Sequence, residues 1–390
     1  MKKSTWCILL FCAFACMLGL GIISPLLPVL AKQFNANGFW IGMIFTGFVI
    51  SRGIFMPIVG RLSDKFGRKV FITSGLLLYT FISLLYIFAR GIYSLTSVRL
   101  LHGVACGMIF PIVMSYAADF AEKGKEGKTM GLLTMMFYLG MAAGPLFGGF
   151  LSNAFGFRSV FYIMALLSGV AFLVALVFMP EAKKIKKGSQ EAFLPFRTLI
   201  RYNIIKAILL ISAIITLRGA VLMSFLPSLA AKANIDPSRI GLIISLNVIF
   251  AGTLQAPFGK IADRLDWHGQ LYQIIIGCVI GATAIFLIPL FPVFWFILAA
   301  AITEGIVTAV STPPALILSI GIGQRAGMGS WMGIFNTAMG LGLIIAPLAS
   351  GIIMDWLGIN AVFYIFGIVS YAGTIIGSYY IWKRFRGRKK

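Results

Sequence analysis

Apolar residues run through this chain in long unbroken blocks, not in the alternating or one-faced patterns of a soluble fold. Blocks of roughly 20 such residues, enough to cross a bilayer core as helices, recur between short polar segments. They predict twelve spans, at about 6–31, 38–58, 69–89, 94–117, 129–151, 157–180, 204–230, 238–258, 271–291, 294–318, 329–353 and 359–382. A transmembrane β-barrel would show short alternating segments, and none occur. The start "MKKSTWCILLFCAFAC" resembles a signal peptide. Its apolar run continues through Pro25 and Pro28, however, and the end of that run is repeated later, so it is read as the first span. The fold class is an all-α membrane protein.

Composition agrees: 59% of the 390 residues are hydrophobic and 11% charged, too little polar surface for a soluble protein of this length. A net charge of +22 would suit a nucleic-acid binder, but its placement excludes that partner. With the N-terminus inside, most of the 33 lysines and arginines fall on the cytoplasmic side: at Lys2 and Lys3, in the even-to-odd loops, and in the tail "KRFRGRKK". Lys32, Arg90, Arg158, Lys232 and Arg239 lie on the other side. This is the positive-inside asymmetry, and it puts both termini on the cytoplasmic side; the expected location is the plasma (cell inner) membrane. The basic excess meets anionic lipid headgroups. Cys7, Cys12, Cys16, Cys106 and Cys278 all lie in spans, without metal or redox spacing, and read as small packing residues.

The first six spans align with the last six. Leu27-Pro28, Ile41-Gly42, Gly60 and Asp64 recur 199 residues later as Leu226-Pro227, Ile240-Gly241, Gly259 and Asp263. Further on the offset is 202: Met130-Gly131, Leu139-Gly140, Pro145-Leu146, Gly149, Gly156 and Val160-Phe161-Tyr162 match Met332-Gly333, Leu341-Gly342, Pro347-Leu348, Gly351, Gly358 and Val362-Phe363-Tyr364. Chance apolar similarity does not keep register at Gly and Pro. The expected organisation is a six-helix bundle at 1–180, a basic cytoplasmic linker at 181–203, and a second bundle with a basic tail at 204–390. Six spans return the chain to its starting side, so the repeats are parallel, as in transporters that rock around a midplane site.

At this point the chain resembles the major facilitator superfamily over nearly its whole length. "GRLSDKFGRK" matches that family's pattern G-x-L-x-D-r-x-G-r-r/k between spans 2 and 3, and "GLGIISPLLPVL" and "RLLHG" resemble its patterns in spans 1 and 4. In span 5, Gly131, Gly140, Gly144, Pro145, Gly148 and Gly149 reproduce G-x8-G-x3-G-P-x2-G-G, similar to the signature of twelve-span drug:proton antiporters. The resemblance implies alternating access, a small-molecule substrate, a functional monomer, and the proton gradient as energy source without a cofactor.

In the loop after span 2, Gly60 and Gly67 are expected to permit tight backbone turns. Asp64 can meet helix N-terminal amides, and Arg61, Lys65, Arg68 and Lys69 can pair with acids or lipid phosphates. Asp119 and Glu122, at the end of span 4, are the expected acidic partners of a breakable cytoplasmic latch. The alternative is a loop that only sets topology. Asp263 marks a weaker second latch, since Asp266, Trp267 and His268 replace its remaining residues. Gly140, Gly144 and Gly148, spaced by four, share one helix face and allow close approach, with Pro145 bending the helix. That packing either seals the halves against proton leak or has no mechanistic role.

Arg52, Arg99, His102, Arg218 and Glu304 sit well inside spans, where ionisable residues point to function. A proton-coupled carrier needs a group whose affinity for protons changes as its cavity opens. Glu304 is the first candidate, His102 the second, with Arg99 beside it; the 202 offset puts His102 and Glu304 at equivalent places, which in the family line a central cavity. Glu304 read instead as a structural acid paired with a cation stays open. Arg52, Arg218 and Arg99 are candidate substrate arms, since a guanidinium forks onto carboxylate or phosphate; Arg52 alternatively snorkels to the cytoplasmic edge. Tyr138, Asn247, Gln255, Asn336 and Thr337 offer further polar contacts. No phosphate loop, nucleophile–base pair or metal cluster is legible, so an enzyme is not expected. The reading is proton-driven export of a small organic compound, anionic or zwitterionic. Its rivals are an organic-anion or sugar importer, a lipid or lysolipid flippase, and a membrane sensor that transports nothing.

Overall fold

The computed structural model describes residues 3–119, 126–181, 203–326 and 328–386. Glu122 and nearly all of the 181–203 linker lie outside the described residues, as does the side chain of Asp119. Among the described residues, twelve helices are long and apolar enough to cross a membrane. Spans 1–6 are Thr5–Ile23, Gly38–Phe66, Arg68–Ile87, Ile92–Ala117, Leu132–Phe155 and Phe157–Phe178. Spans 7–12 are Ile205–Lys232, Pro237–Arg264, Trp267–Leu290, Phe294–Ser319, Ile334–Leu357 and Ile359–Tyr380. Large apolar side chains lie open on their outer faces, Trp295 at 76% and Trp356 at 84% exposure; in water such a surface would aggregate, and in a bilayer it faces lipid.

Two spans differ from the predicted unbroken helices, and proline accounts for both. Span 1 stops at Ile23, and a short helix Leu27–Gln33 follows. Pro28 has no N–H to give the Ser24 carbonyl, and its ring would strike that oxygen. Span 8 is parted between Thr253 and Gln255, where Pro257 removes the bond to the Thr253 carbonyl. Span 2 instead runs on through Pro57 to Phe66, some way past its predicted end. Gly60 therefore lies inside a continuous helix and makes no turn, contrary to expectation. The turn belongs to Gly67 alone, at φ 103°.

The chain divides into two compact units, Met1–Lys187 with Asn234–Val248, and Gly188–Ala233 with Ile249–Lys390. In the first, span 1 packs on span 5, span 2 on span 4, and span 3 on spans 4 and 6. In the second, span 7 packs on spans 11 and 12, and span 9 on spans 10 and 12, so the repeat in the sequence is a repeat in packing. An apolar cluster of Ile211, Ile215, Leu271, Ile274 and Ala315 joins spans 7, 9 and 10. Buried hydroxyls that would otherwise be stranded in an apolar interior bond back to their own helices: Ser83 to the Tyr79 carbonyl, Ser168 to Met164, Thr374 to Ser370.

Candidate functional site

Glu304, on span 10, meets Arg218 of span 7. Arg218 Nε donates to Glu304 Oε1 at 2.8 Å, and the two side chains are 0% and 2% exposed. Arg218 Nη1 also reaches the Cys278 carbonyl of span 9, at 3.4 Å. The remaining ends of the pair, Arg218 Nη2 and Glu304 Oε2, have no hydrogen-bond partner among the described residues. Glu304 is thus an acid paired with a cation, the alternative that the sequence left open, and the cation is Arg218, which the sequence had marked as a substrate arm. Spans 7, 9 and 10 thus hold one full ion pair inside the second unit, in a place with little else to satisfy it.

The equivalent place in the first unit is aromatic. His102 is completely buried on span 4. Its Nδ1 lies 3.1 Å from the Tyr86 hydroxyl and 3.3 Å from Arg99 Nη1. The Tyr79 ring stands perpendicular to the imidazole, with centroids 4.6 Å apart, and Phe48 edges it from span 2. Arg99 is 2% exposed, lies 4.4 Å over the Phe48 ring, and donates through Nε to the Ile44 carbonyl at 3.4 Å. Arg99 and His102 are thus held together, by each other and by spans 2 and 3, as cation–π contact and backbone acceptance allow.

Arg52 is half-buried, its guanidinium 4.7 Å from the Phe110 ring centroid. It lies where span 2 crosses span 4, and Gly103 and Gly107 make that crossing close. Tyr138 on span 5 and Asn247 and Gln255 on span 8 are half-buried, while Asn336 and Thr337 on span 11 are exposed.

Asp64, in the last turn of span 2, is 68% exposed and Arg68, at the start of span 3, 13%, with 3.4 Å between them across the Gly67 turn. The acid that closes on this loop was not anticipated. Glu181, just past span 6, accepts from the Lys69 backbone N–H at 3.2 Å, at the N-terminus of span 3, where negative charge is favoured. A side chain at Gly67 would strike that carboxylate, at 2.7 Å from Oε1. The Tyr116 hydroxyl of span 4 donates to the neighbouring Pro180 carbonyl at 2.6 Å. The signal available in the sequence was "MPEAKK", an acid following a span-ending proline, but its nearness to the basic linker masked it. Lys69 joins this contact through its backbone, and Asp263 is exposed near the end of span 8.

The span-5 glycines have two faces. A Cβ at Gly140 would lie 2.6 Å from the Phe14 carbonyl oxygen, and one at Gly144 would lie 2.6 Å from Gly21 Cα. Gly148 stands equally close to Ile22, so this face packs on span 1. Gly149 faces the start of span 8, where a Cβ would lie 2.6 Å from the Pro237 oxygen. The Pro145 carbonyl lies against Gly241 in the same helix.

Known proteins bear on this arrangement. The sequence profile of the Major Facilitator Superfamily matches residues 9–217 and 208–390. An uncharacterized MFS-type transporter of Methanocaldococcus jannaschii is 29% identical over 371 residues, covering 92% of this chain and 95% of its own. The quinolone resistance protein NorA of Staphylococcus aureus is 27% identical over 373 residues, covering 95% and 94%. A bacterial homolog of the human lysosomal transporter Spinster, solved inward-facing and unoccupied, superposes with a TM-score of 0.80 at 13% identity over 98% of both chains. Members of the matched family are transporters, not enzymes, and they carry small molecules across membranes. With the profile covering both repeats and the fold shared, this chain belongs to the Major Facilitator Superfamily.

Proposed function

We propose that this transporter exports small organic compounds from the cytoplasm by alternating access, driven by proton entry. The observation that carries the reading is the Arg218–Glu304 pair, a carboxylate inside the membrane whose second oxygen has no hydrogen-bond partner among the described residues. Protonation of Glu304 turns a neutral pair into an uncompensated arginine. A lone charge at that depth is costly, so the bundle must rearrange to give Arg218 another partner. That requirement links proton uptake to a change of shape. The likeness to the quinolone resistance protein supports export, as does the complete span-5 pattern, whose glycines pack to backbone distance on span 1.

Within this reading the two repeats act as the rocking halves, each chain works as a monomer, and the basic loops face the cytoplasm from the plasma membrane. Arg218 is occupied by Glu304, which leaves Arg52 and Arg99 as the intramembrane cations of the first unit. They support a substrate with an acidic group, anionic or zwitterionic, met by the half-buried Arg52.

Purified protein in acid-interior liposomes tests the proposal. A fluorescent quinolone, and a panel of organic acids, zwitterions and cations, are assayed for uptake above protein-free liposomes. Protein-dependent accumulation of at least one compound, abolished by a protonophore, is expected. Accumulation equal to that of protein-free liposomes across the panel contradicts the reading.

A further inference from the structure

We propose that Gly281 is a positioning residue of the coupling site: its missing side chain is what allows Arg218 and Glu304 to pair. The inference rests on the role given to Glu304 above, and it comes from comparing the same interior place in the two repeats.

The packing fixes the register. Phe14 and Leu18 of span 1 close on Gly140, as Ala213 and Leu217 of span 7 close on Gly342, an offset of 199 within the first span of each repeat. Gly75 of span 3 meets Ile109, as Gly277 of span 9 meets Ser311, an offset of 202. On these registers Gly19 corresponds to Arg218, Tyr79 to Gly281, and His102 to Glu304.

Long and short residues have changed places. In the first unit span 3 supplies the long side chain and span 1 the glycine: a Cβ at Gly19 would lie 2.5 Å from the Tyr79 hydroxyl oxygen. That hydroxyl donates to the Cys16 carbonyl at 3.2 Å, and the ring packs on His102. In the second unit span 7 supplies the long side chain and span 9 the glycine. A Cβ at Gly281 would lie 2.6 Å from Glu304 Oε2, 2.8 Å from Arg218 Cζ and 2.9 Å from Arg218 Nε. The space left by Gly281 is therefore filled by charge-bearing atoms, and a methyl group there must push the carboxylate or the guanidinium aside. Each unit fills one interior place from the opposite helix, and only the second fills it with an ion pair.

Gly281→Ala and Glu304→Gln are compared in proteoliposomes, by gradient-driven accumulation, by substrate counterflow without a gradient, and by the pH profile of transport. Gly281→Ala is expected to lose at least tenfold in gradient-driven accumulation and to flatten the pH profile, with counterflow retained. If Glu304→Gln keeps its coupling, the reading of the site fails first. If Glu304→Gln uncouples while Gly281→Ala keeps wild-type accumulation and pH profile, the role of Gly281 is overturned. Should Gly281→Ala not accumulate folded, Gly281→Tyr is compared with the triple change Arg218→Gly, Gly281→Tyr, Glu304→His, which copies the first unit's residues. Recovery of folded protein in the triple variant supports the exchange, and a triple variant no better folded than Gly281→Tyr overturns it.

Discussion

Arg218 and Glu304 are 86 residues apart in the chain, yet their charged atoms meet at 2.8 Å where neither side chain reaches solvent. Buried ion pairs are often no more stable than well-packed apolar residues of the same volume. Packing alone therefore gives little reason to place one inside a helical bundle. A proton-dependent change of shape does give a reason, because it needs a group whose charge state decides which partners the bundle can hold.

Removing one partner exposes the cost of the other. Arg218→Met leaves the carboxylate buried and unpaired, and is expected to destabilise the fold by about 3–5 kcal/mol. The double variant Arg218→Met, Glu304→Gln carries no charge there and should recover a good part of that loss. Thermal unfolding of both variants in detergent measures the difference. A double variant less stable than the single one contradicts the pairing.

The proposed cytoplasmic latch calls for the opposite behaviour. Asp64 is mostly exposed, and its contact with Arg68 is a surface pair, worth at most about 1 kcal/mol. Asp64→Asn is expected to fold and insert as the wild type does while transporting poorly. Glu181→Ala should act similarly, since Glu181 ties the end of span 6 to the first turn of span 3. Expression, thermal midpoint and transport rate are measured together. Normal transport by well-folded Asp64→Asn removes the latch.

Two glycines of the sequence patterns separate packing from motif membership. Gly144 stands against the span-1 backbone, and Gly144→Ala is expected to cost about 1–3 kcal/mol by forcing the helices apart. Gly60 has nothing within 4 Å of its missing side chain and lies within a helix. Gly60→Ala is expected to change stability by no more than about 0.5–1 kcal/mol, and toward stabilisation, since alanine favours helix. Thermal midpoints of the two purified variants test the contrast, and equal losses would contradict it.

Much of this architecture is legible in the chain because the bilayer limits what a span can be. Long apolar blocks give the twelve helices, and the register of Gly and Pro gives the repeat. Local physics beyond that was only half legible. Pro28 and Pro257 break their helices, while Pro57 and Pro227 sit within continuous ones, and the residue type alone does not say which will happen. The pairing of Arg218 with Glu304 was hidden for the same reason: a charge in a span announces that it needs a partner but not which helix supplies it. Gly281 carries no signal of its own, since only the side chains beside it give its absent Cβ a meaning. Glu181 was obscured by the basic linker that follows it.

The most direct test is substrate-induced proton movement across the membrane of liposomes holding purified protein. A pH-sensitive dye trapped inside reports protons as substrate is added outside. Wild-type protein is predicted to move protons opposite to substrate. Glu304→Gln is predicted to move none while still exchanging labelled for unlabelled substrate, because glutamine keeps the size and polarity of the residue but cannot carry a proton. Proton movement by Glu304→Gln at the wild-type rate would contradict the account.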